Sequence, residues 1–197
     1  MKTWLTASLV LFFVGLALSQ TPNTDAYENP PAPPDAGLAL VEVPERSVDS
    51  KAPKNDNPAR LSIPAVGIKT AIEPVGINEK GEMAVPEGSS DRVGWYQSGA
   101  TPGENGSAVM AAHVYAGFKK LRGIQPGAEI EVTDEDGETK RFIVEEVKLT
   151  RLEDVSPYFL FERSDAARLN LITCAGKFDR KLGTYDHRLI VYAVLAP

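Results

Sequence analysis

The sequence predicts an all-β fold, a closed or nearly closed β-barrel. Two observations carry this. Short apolar, β-favouring runs follow one another from Leu61 to Leu195, and Gly- and Pro-containing turns punctuate them. Helical periodicity is confined to one or two turns, and no internal repeat is present.

Three segments differ in composition. Lys2 precedes an apolar run from Trp4 to Leu18, and Ala17-Leu18-Ser19 has the small residues of a cleavage site. The run is short for a membrane span, which needs about 20 apolar residues. Residues 1–19 therefore read as a cleaved signal peptide or a short uncleaved anchor with Lys2 left in the cytoplasm. Both readings export the chain to the cell surface, either membrane-anchored or secreted. Residues 20–58 read as a disordered linker. Pro30-Pro31-Ala32-Pro33-Pro34 favours polyproline II, and Lys51 to Pro58 is polar and breaker-rich, so little apolar surface is there to offset ordering entropy. Leu38-Ala39-Leu40-Val41 is a short apolar patch inside it. Residues 59–197 form the folded domain.

Within that domain, Leu61 to Pro64, Ala65 to Ile68 and Ile72 to Ile77 read as short strands, the last closed by the turn Asn78-Glu79-Lys80-Gly81. Met83 to Pro86 is extended, and Val93 to Tyr96 precedes a loop from Gly99 to Gly106. Ser107 to Val114 reads as a buried strand with His113 near its end. Phe118 to Ile124 is a helical turn stopped by Pro126-Gly127. Glu129 to Val132 and Arg141 to Val144 alternate as a hairpin about Asp134-Glu135-Asp136-Gly137, with the second strand running on to Leu149. Asp154 to Pro157 starts a helix. Leu169 to Cys174 and Leu189 to Leu195 are the last strands, joined by a polar loop from Lys177 to Arg188.

Charge narrows the function. The formal net charge of -6 opposes general nucleic-acid binding, which needs a basic face. Two histidines and one cysteine are too few for a nitrogen-and-sulfur zinc site, and no metal or other cofactor is expected. Composition leaves a carboxylate-rich calcium site open, although Asp134-Glu135-Asp136 is most simply a solvated turn. Trp95 and Tyr96 are most simply core or rim aromatics, and His187 a surface residue.

Cys174, the lone thiol, has no intramolecular disulfide partner and sits where a strand pattern breaks at Ala175-Gly176. Taken alone it suits buried filler, since free cysteine is among the most buried residue types. Its companions change that reading. A thiol becomes a nucleophile as thiolate, which a nearby imidazolium or guanidinium favours. His113 supplies an imidazole able to protonate a departing amine near neutral pH. Arg188 supplies a permanently charged fork suited to an oxyanion. Together the three suffice for acyl transfer.

These residues also carry a resemblance. Thr173-Cys174 at a strand end, followed by Arg188 leading into Leu189-Ile190-Val191, resembles the signature of the sortases, cysteine transpeptidases of bacterial cell surfaces. Arg60 to Pro64, Val93 to Tyr96, Pro102 to Gly106 and Ala111 to Val114 stand in that family's order. Ala175-Gly176-Lys177-Phe178-Asp179, with Val93 to Tyr96, looks most like class F. The similarity spans about Arg60 to Ala196.

The resemblance implies an eight-stranded sortase barrel and a thioacyl-enzyme mechanism. Cys174 would attack the carbonyl of an LPxTG-like sorting signal of an exported protein, and His113 would protonate the leaving amine. Arg188 would hold the substrate and stabilise the oxyanion, and Thr173 would bind substrate by lining the site. An amine from a cell-wall precursor or another protein would take the acyl group. Two features depart from the pattern. Tyr115 stands where class F members often carry Asp, and the stretch from Tyr115 to Leu121 is short. Arg180 is a second candidate for the arginine; Arg188 is favoured because it directly precedes the last strand. The competing readings are a sortase-like hydrolase, another cysteine peptidase or L,D-transpeptidase, and a secreted barrel module with a structural cysteine. The chain lacks the Ser/Thr-His-Gly-Cys pattern of the L,D-transpeptidases.

Overall fold

A computed structural model describes residues 55–162 and 164–197. The expected leader and residues 20–54 of the expected linker lie outside the described residues. Eight strands close into a barrel in the order β1-β2-β3-β4-β7-β8-β6-β5, with β5 pairing back onto β1. They are β1 (Pro58–Ile63), β2 (Ile68–Val75), β3 (Val93–Tyr96), β4 (Gly106–Ala111), β5 (Glu129–Asp134), β6 (Thr139–Arg151), β7 (Ala167–Asp179) and β8 (Thr184–Leu195). One short helix, α1 (Pro157–Leu160), lies between β6 and β7.

Alternation fills the barrel. Leu61 and Ile63 of β1, Ala108 and Met110 of β4, Ile130 and Val132 of β5, Leu169 and Leu171 of β7, and Leu189 and Val191 of β8 belong to one buried cluster. Phe118, Leu121 and Ile124 add to it from the connection after β4, all at most 1% exposed. Two neighbouring pairs are parallel, β2 with β3 and β4 with β7. Parallel neighbours cannot be joined by a tight turn, so long connections leave the barrel there. Gly76 to Arg92 makes the β2–β3 connection, while β5 and β6 intervene between β4 and β7, with Leu152 to Ala166 leading from β6 into β7.

The structure corrects several expectations. Pro64–Val66 is a 3-10 turn closed by left-handed Gly67, so Ala65 to Ile68 is no strand and β2 starts at Ile68. Proline at its first position favours that turn. β4 ends at Ala111, leaving His113 two residues beyond it. The helical turn after it shrinks to a 3-10 turn at Leu121–Gly123.

The polar loop expected from Lys177 to Arg188 is largely strand. β7 continues to Asp179 and β8 begins at Thr184, with a bulge between Ala175 and Phe178. A glycine at φ 81°, Gly176, absorbs the extra residue there. Asp134 is not a solvated turn residue. It is 5% exposed, accepts from the Glu138 amide at 2.8 Å, and lies 3.4 Å from Lys140 Nζ. Its neighbours Glu135 and Asp136 accept from Asn55, fastening the start of the domain to this turn.

Candidate active site

The site is built on the outer face of β4, β7 and β8. The positions between the core residues fall on that face: Val109 and Ala111 on β4, Asn170, Ile172 and Cys174 on β7, Arg188 and Ile190 on β8. Ala111 pairs with Ile172, and Cys174 pairs with Arg188. Past the last β4–β7 pair, the Ala112 amide donates to the Ile172 carbonyl at 3.4 Å and the Thr173 hydroxyl to the Ala112 carbonyl at 2.7 Å, so the end of β4 that leads to His113 stays against the part of β7 that carries Cys174. Arg180 is exposed in the turn beyond Asp179.

Each group is held by its surroundings. Cys174 is half-buried and unpaired by any disulfide. His113 is half-buried, with Nε2 3.1 Å from the Pro86 carbonyl, and its ring stacks on Tyr115 at 4.9 Å and 11°. A carbonyl only accepts, so Nε2 carries the proton and Nδ1 is the nitrogen left for exchange. Arg188 donates from Nη1 to the carbonyls of Tyr185 (3.0 Å) and His187 (2.9 Å), and from Nη2 to Thr184 Oγ1 (3.3 Å). These bonds use three of its five N–H donors.

Thr173 takes a different place from the one expected. It points to the opposite face from Cys174, is 4% exposed, and donates its hydroxyl to the Ala112 carbonyl at 2.7 Å. It ties β7 to the residue that precedes His113.

Asp186 and His187 complete the surroundings. Just past Cys174, the Asp186 carboxylate accepts from the Lys177 amide at 2.7 Å and contacts His187 Nδ1 at 2.8 Å. The His187 hydrogen bond, then the Lys177 amide, holds the Asp186 carboxyl below its ordinary pKa. His187 is thus a half-buried strand residue of β8, opposite Ala175, and not a loop residue. Adjacent Asp186-His187 across from a glycine was the sequence signal for this pair. Nothing local in the sequence marks the Pro86 carbonyl, which reaches His113 across 27 residues.

The far end of this face is closed. The β6–β7 connection crosses it where Asn170 Nδ2 donates to the Leu160 carbonyl at 2.7 Å. Tyr96 meets Phe161 edge-on at 5.3 Å, joining the ends of β3 and α1. A half-open cavity of about 630 Å³ lies beyond, lined by Tyr96, Asn105, Ser107, Phe161 and Glu162 among others. Among the described residues no cluster of three His, Cys, Asp or Glu side chains could hold a metal ion, and no helix is long and apolar enough to cross a membrane.

An all-β barrel with a half-buried thiol paired opposite a guanidinium, and an imidazole past the end of the neighbouring strand, holds the groups that thiol-dependent acyl transfer needs. The chain belongs to the sortase family: the model of the sortase domain matches residues 61–196. It is accordingly a sortase-type cysteine transpeptidase. Solved structures agree on the fold. The sortase D5 transpeptidase of Clostridium perfringens is 24% identical, with a TM-score of 0.54 over 73% of this chain and 82% of that one. Sortase C-1 of Actinomyces oris is 23% identical, with a TM-score of 0.55 over 71% of each chain. Sortase A of Corynebacterium diphtheriae is 22% identical, with a TM-score of 0.53 over 73% of this chain and 62% of that one. A search of the curated proteins gave no match.

Proposed function

We propose that Cys174, His113 and Arg188 carry the transpeptidation, on an LPxTG-like sorting signal of an exported protein. The observation that carries this assignment is the pairing of Cys174 directly opposite Arg188, with His113 just past the end of β4, the strand that pairs with β7 on its other side. Cys174 gives its thiol proton to His113 Nδ1, and the resulting thiolate attacks the scissile carbonyl carbon to form a C–S bond. The two Arg188 N–H groups not spent on Thr184, Tyr185 and His187 are left to donate to the developing oxyanion. As the tetrahedral centre collapses, the C–N bond breaks and His113 Nδ1 gives its proton to the departing amine. The thioacyl-enzyme remains. An incoming amine then attacks the same carbon, His113 takes a proton from it, and the C–S bond breaks to return the thiolate. Thr173 holds the Cys174 and His113 segments in register through Ala112.

Within the family we read the chain as most like class F, on Ala175 to Asp179 and Val93 to Tyr96. The acceptor is an amine of a cell-wall precursor or of a second protein. Residues 1–19 direct export and either leave the chain or anchor it, residues 20–58 act as a linker, and 59–197 form the catalytic domain at the cell surface.

The test is mass spectrometry of products from a library of sorting peptides incubated with the protein and a mixture of amines. Peptide–amine conjugates are expected from the native chain, and none from Cys174→Ala or His113→Ala. Conjugates formed by Cys174→Ala would overturn the assignment; hydrolysed peptide alone would favour the hydrolase reading.

A further inference from the structure

We propose that the Pro86 carbonyl and the Tyr115 ring clamp His113 from two sides, which makes Tyr115 a positioning residue for the transpeptidation. The inference rests on the assignment of His113 to proton transfer. A single hydrogen bond from Nε2 to Pro86, at 3.1 Å, fixes one atom of the imidazole but leaves the ring free to tilt about that bond. Tyr115 removes this freedom. Its ring lies almost parallel to the imidazole, 11° from coplanar at 4.9 Å between centroids, an offset stack of the kind aromatic pairs favour.

Both jaws belong to one docked unit. The turn after β4 is folded on the His113 carbonyl, which accepts from the amides of Ala116 and Phe118 at 3.1 Å each. Phe118 is fully buried in the barrel core. Gly117 lies so close to the β2–β3 connection that a Cβ there would stand 2.6 Å from the Arg92 carbonyl and 2.9 Å from that of Asp91. That same connection carries Pro86. The backbone on either side of the imidazole is therefore held in mutual contact, and Tyr115 inherits a defined place from it.

Core burial does not account for Tyr115, which is 60% exposed. Its hydroxyl has no role in the stack, so the flat ring is the functional part. The consequence for the reaction is specific. With Nε2–H given to Pro86 and the ring plane fixed by Tyr115, Nδ1 is the basic nitrogen and its lone pair has one direction. Loss of the stack lets the ring tilt, weakens the Pro86 bond, and lets the proton move to Nδ1.

The experiment compares Tyr115→Phe and Tyr115→Ala with the native chain, by steady-state transpeptidation and by nitrogen-15 NMR of the His113 ring. Tyr115→Ala is expected to lower kcat about three- to tenfold with KM little changed, the size of effect one aromatic stack provides. The His113 signals should move from the Nε2–H pattern toward a tautomer mixture. Tyr115→Phe should keep both properties. Native kcat and an unmixed Nε2–H pattern in Tyr115→Ala would overturn the clamp. So would a fall in kcat with the tautomer unchanged, which a merely structural role would give. His113→Ala serves as the control: if it retains turnover, the underlying assignment of His113 fails, a result distinct from a silent Tyr115.

Discussion

Cys174 and Arg188 stand directly opposite each other across the antiparallel β7–β8 ladder. Arg180 sits six residues past Cys174, about 20 Å along the strand direction at 3.3 Å per residue, and is exposed. Replacing Arg188 with Ala should therefore lower kcat/KM by about 10²- to 10³-fold, the cost of removing an oxyanion donor. Arg188→Lys should recover only part of this, because an ammonium has three donors where the guanidinium has five, and the bonds to Tyr185, His187 and Thr184 would take all three. Arg180→Ala should stay within about twofold of native activity, as surface changes away from a site do. Peptide-cleavage kinetics of the three variants separate the two arginines.

Thr173→Val tests the link between the strands. Valine keeps the shape but leaves the buried Ala112 carbonyl without the hydroxyl that donates to it at 2.7 Å. An unmet buried acceptor costs about 1–3 kcal/mol. Unfolding in urea should show that loss, and kcat should fall while KM changes little, because Thr173 holds His113's segment from the buried side of β7.

Gly176→Ala should be more damaging than its size suggests. The residue has φ 81°, and a Cβ would stand 2.1 Å from Asp186 Oδ1 and 2.7 Å from His187 Nδ1. A non-glycine residue in such a conformation costs about 1–3 kcal/mol before any clash is counted. The bulge lies two residues past Cys174, so thermal unfolding and thiol alkylation should both change.

Asp186 gives the hairpin an acid limit. Its folded pKa lies below the ordinary value of 3.8, chiefly through His187 and then the Lys177 amide. As pH falls, the unfolded chain takes up this proton first, so the contribution is present above 3.8 and lost as pH drops through the folded value. Asp186→Asn should flatten that part of the curve. Melting temperatures measured between about pH 2.5 and pH 5 check it: the native chain should lose more stability over this interval than the variant does.

The barrel was legible because alternation was. Glu129 to Val132 and Arg141 to Val144 alternate cleanly, and they pair as β5 and β6 with Ile130, Val132, Phe142 and Val144 turned inward. The hairpin after Cys174 was illegible because Ala175-Gly176-Lys177 carries the composition of a loop while folding as a bulge. Its pairing depends on Asp186 meeting the Lys177 amide from the other strand. The three reactive groups were legible as residue types. What brings the end of β4 beside β7 is their parallel register, which joins residues about 60 positions apart and leaves no local trace. For Thr173, motif position suggested a site-lining role, whereas strand parity turns it inward. The Pro86 carbonyl is backbone, and only the tertiary fold brings it to His113.

The central claim is that Cys174 carries the acyl group. Intact-protein mass spectrometry of the chain, quenched in acid during turnover of a cleavable sorting peptide without added amine, measures this directly. The account predicts an added mass equal to the peptide's N-terminal fragment, located on the peptide containing Cys174 and released by an amine. Turnover with no adduct on Cys174, or an adduct that persists in Cys174→Ala, would contradict it.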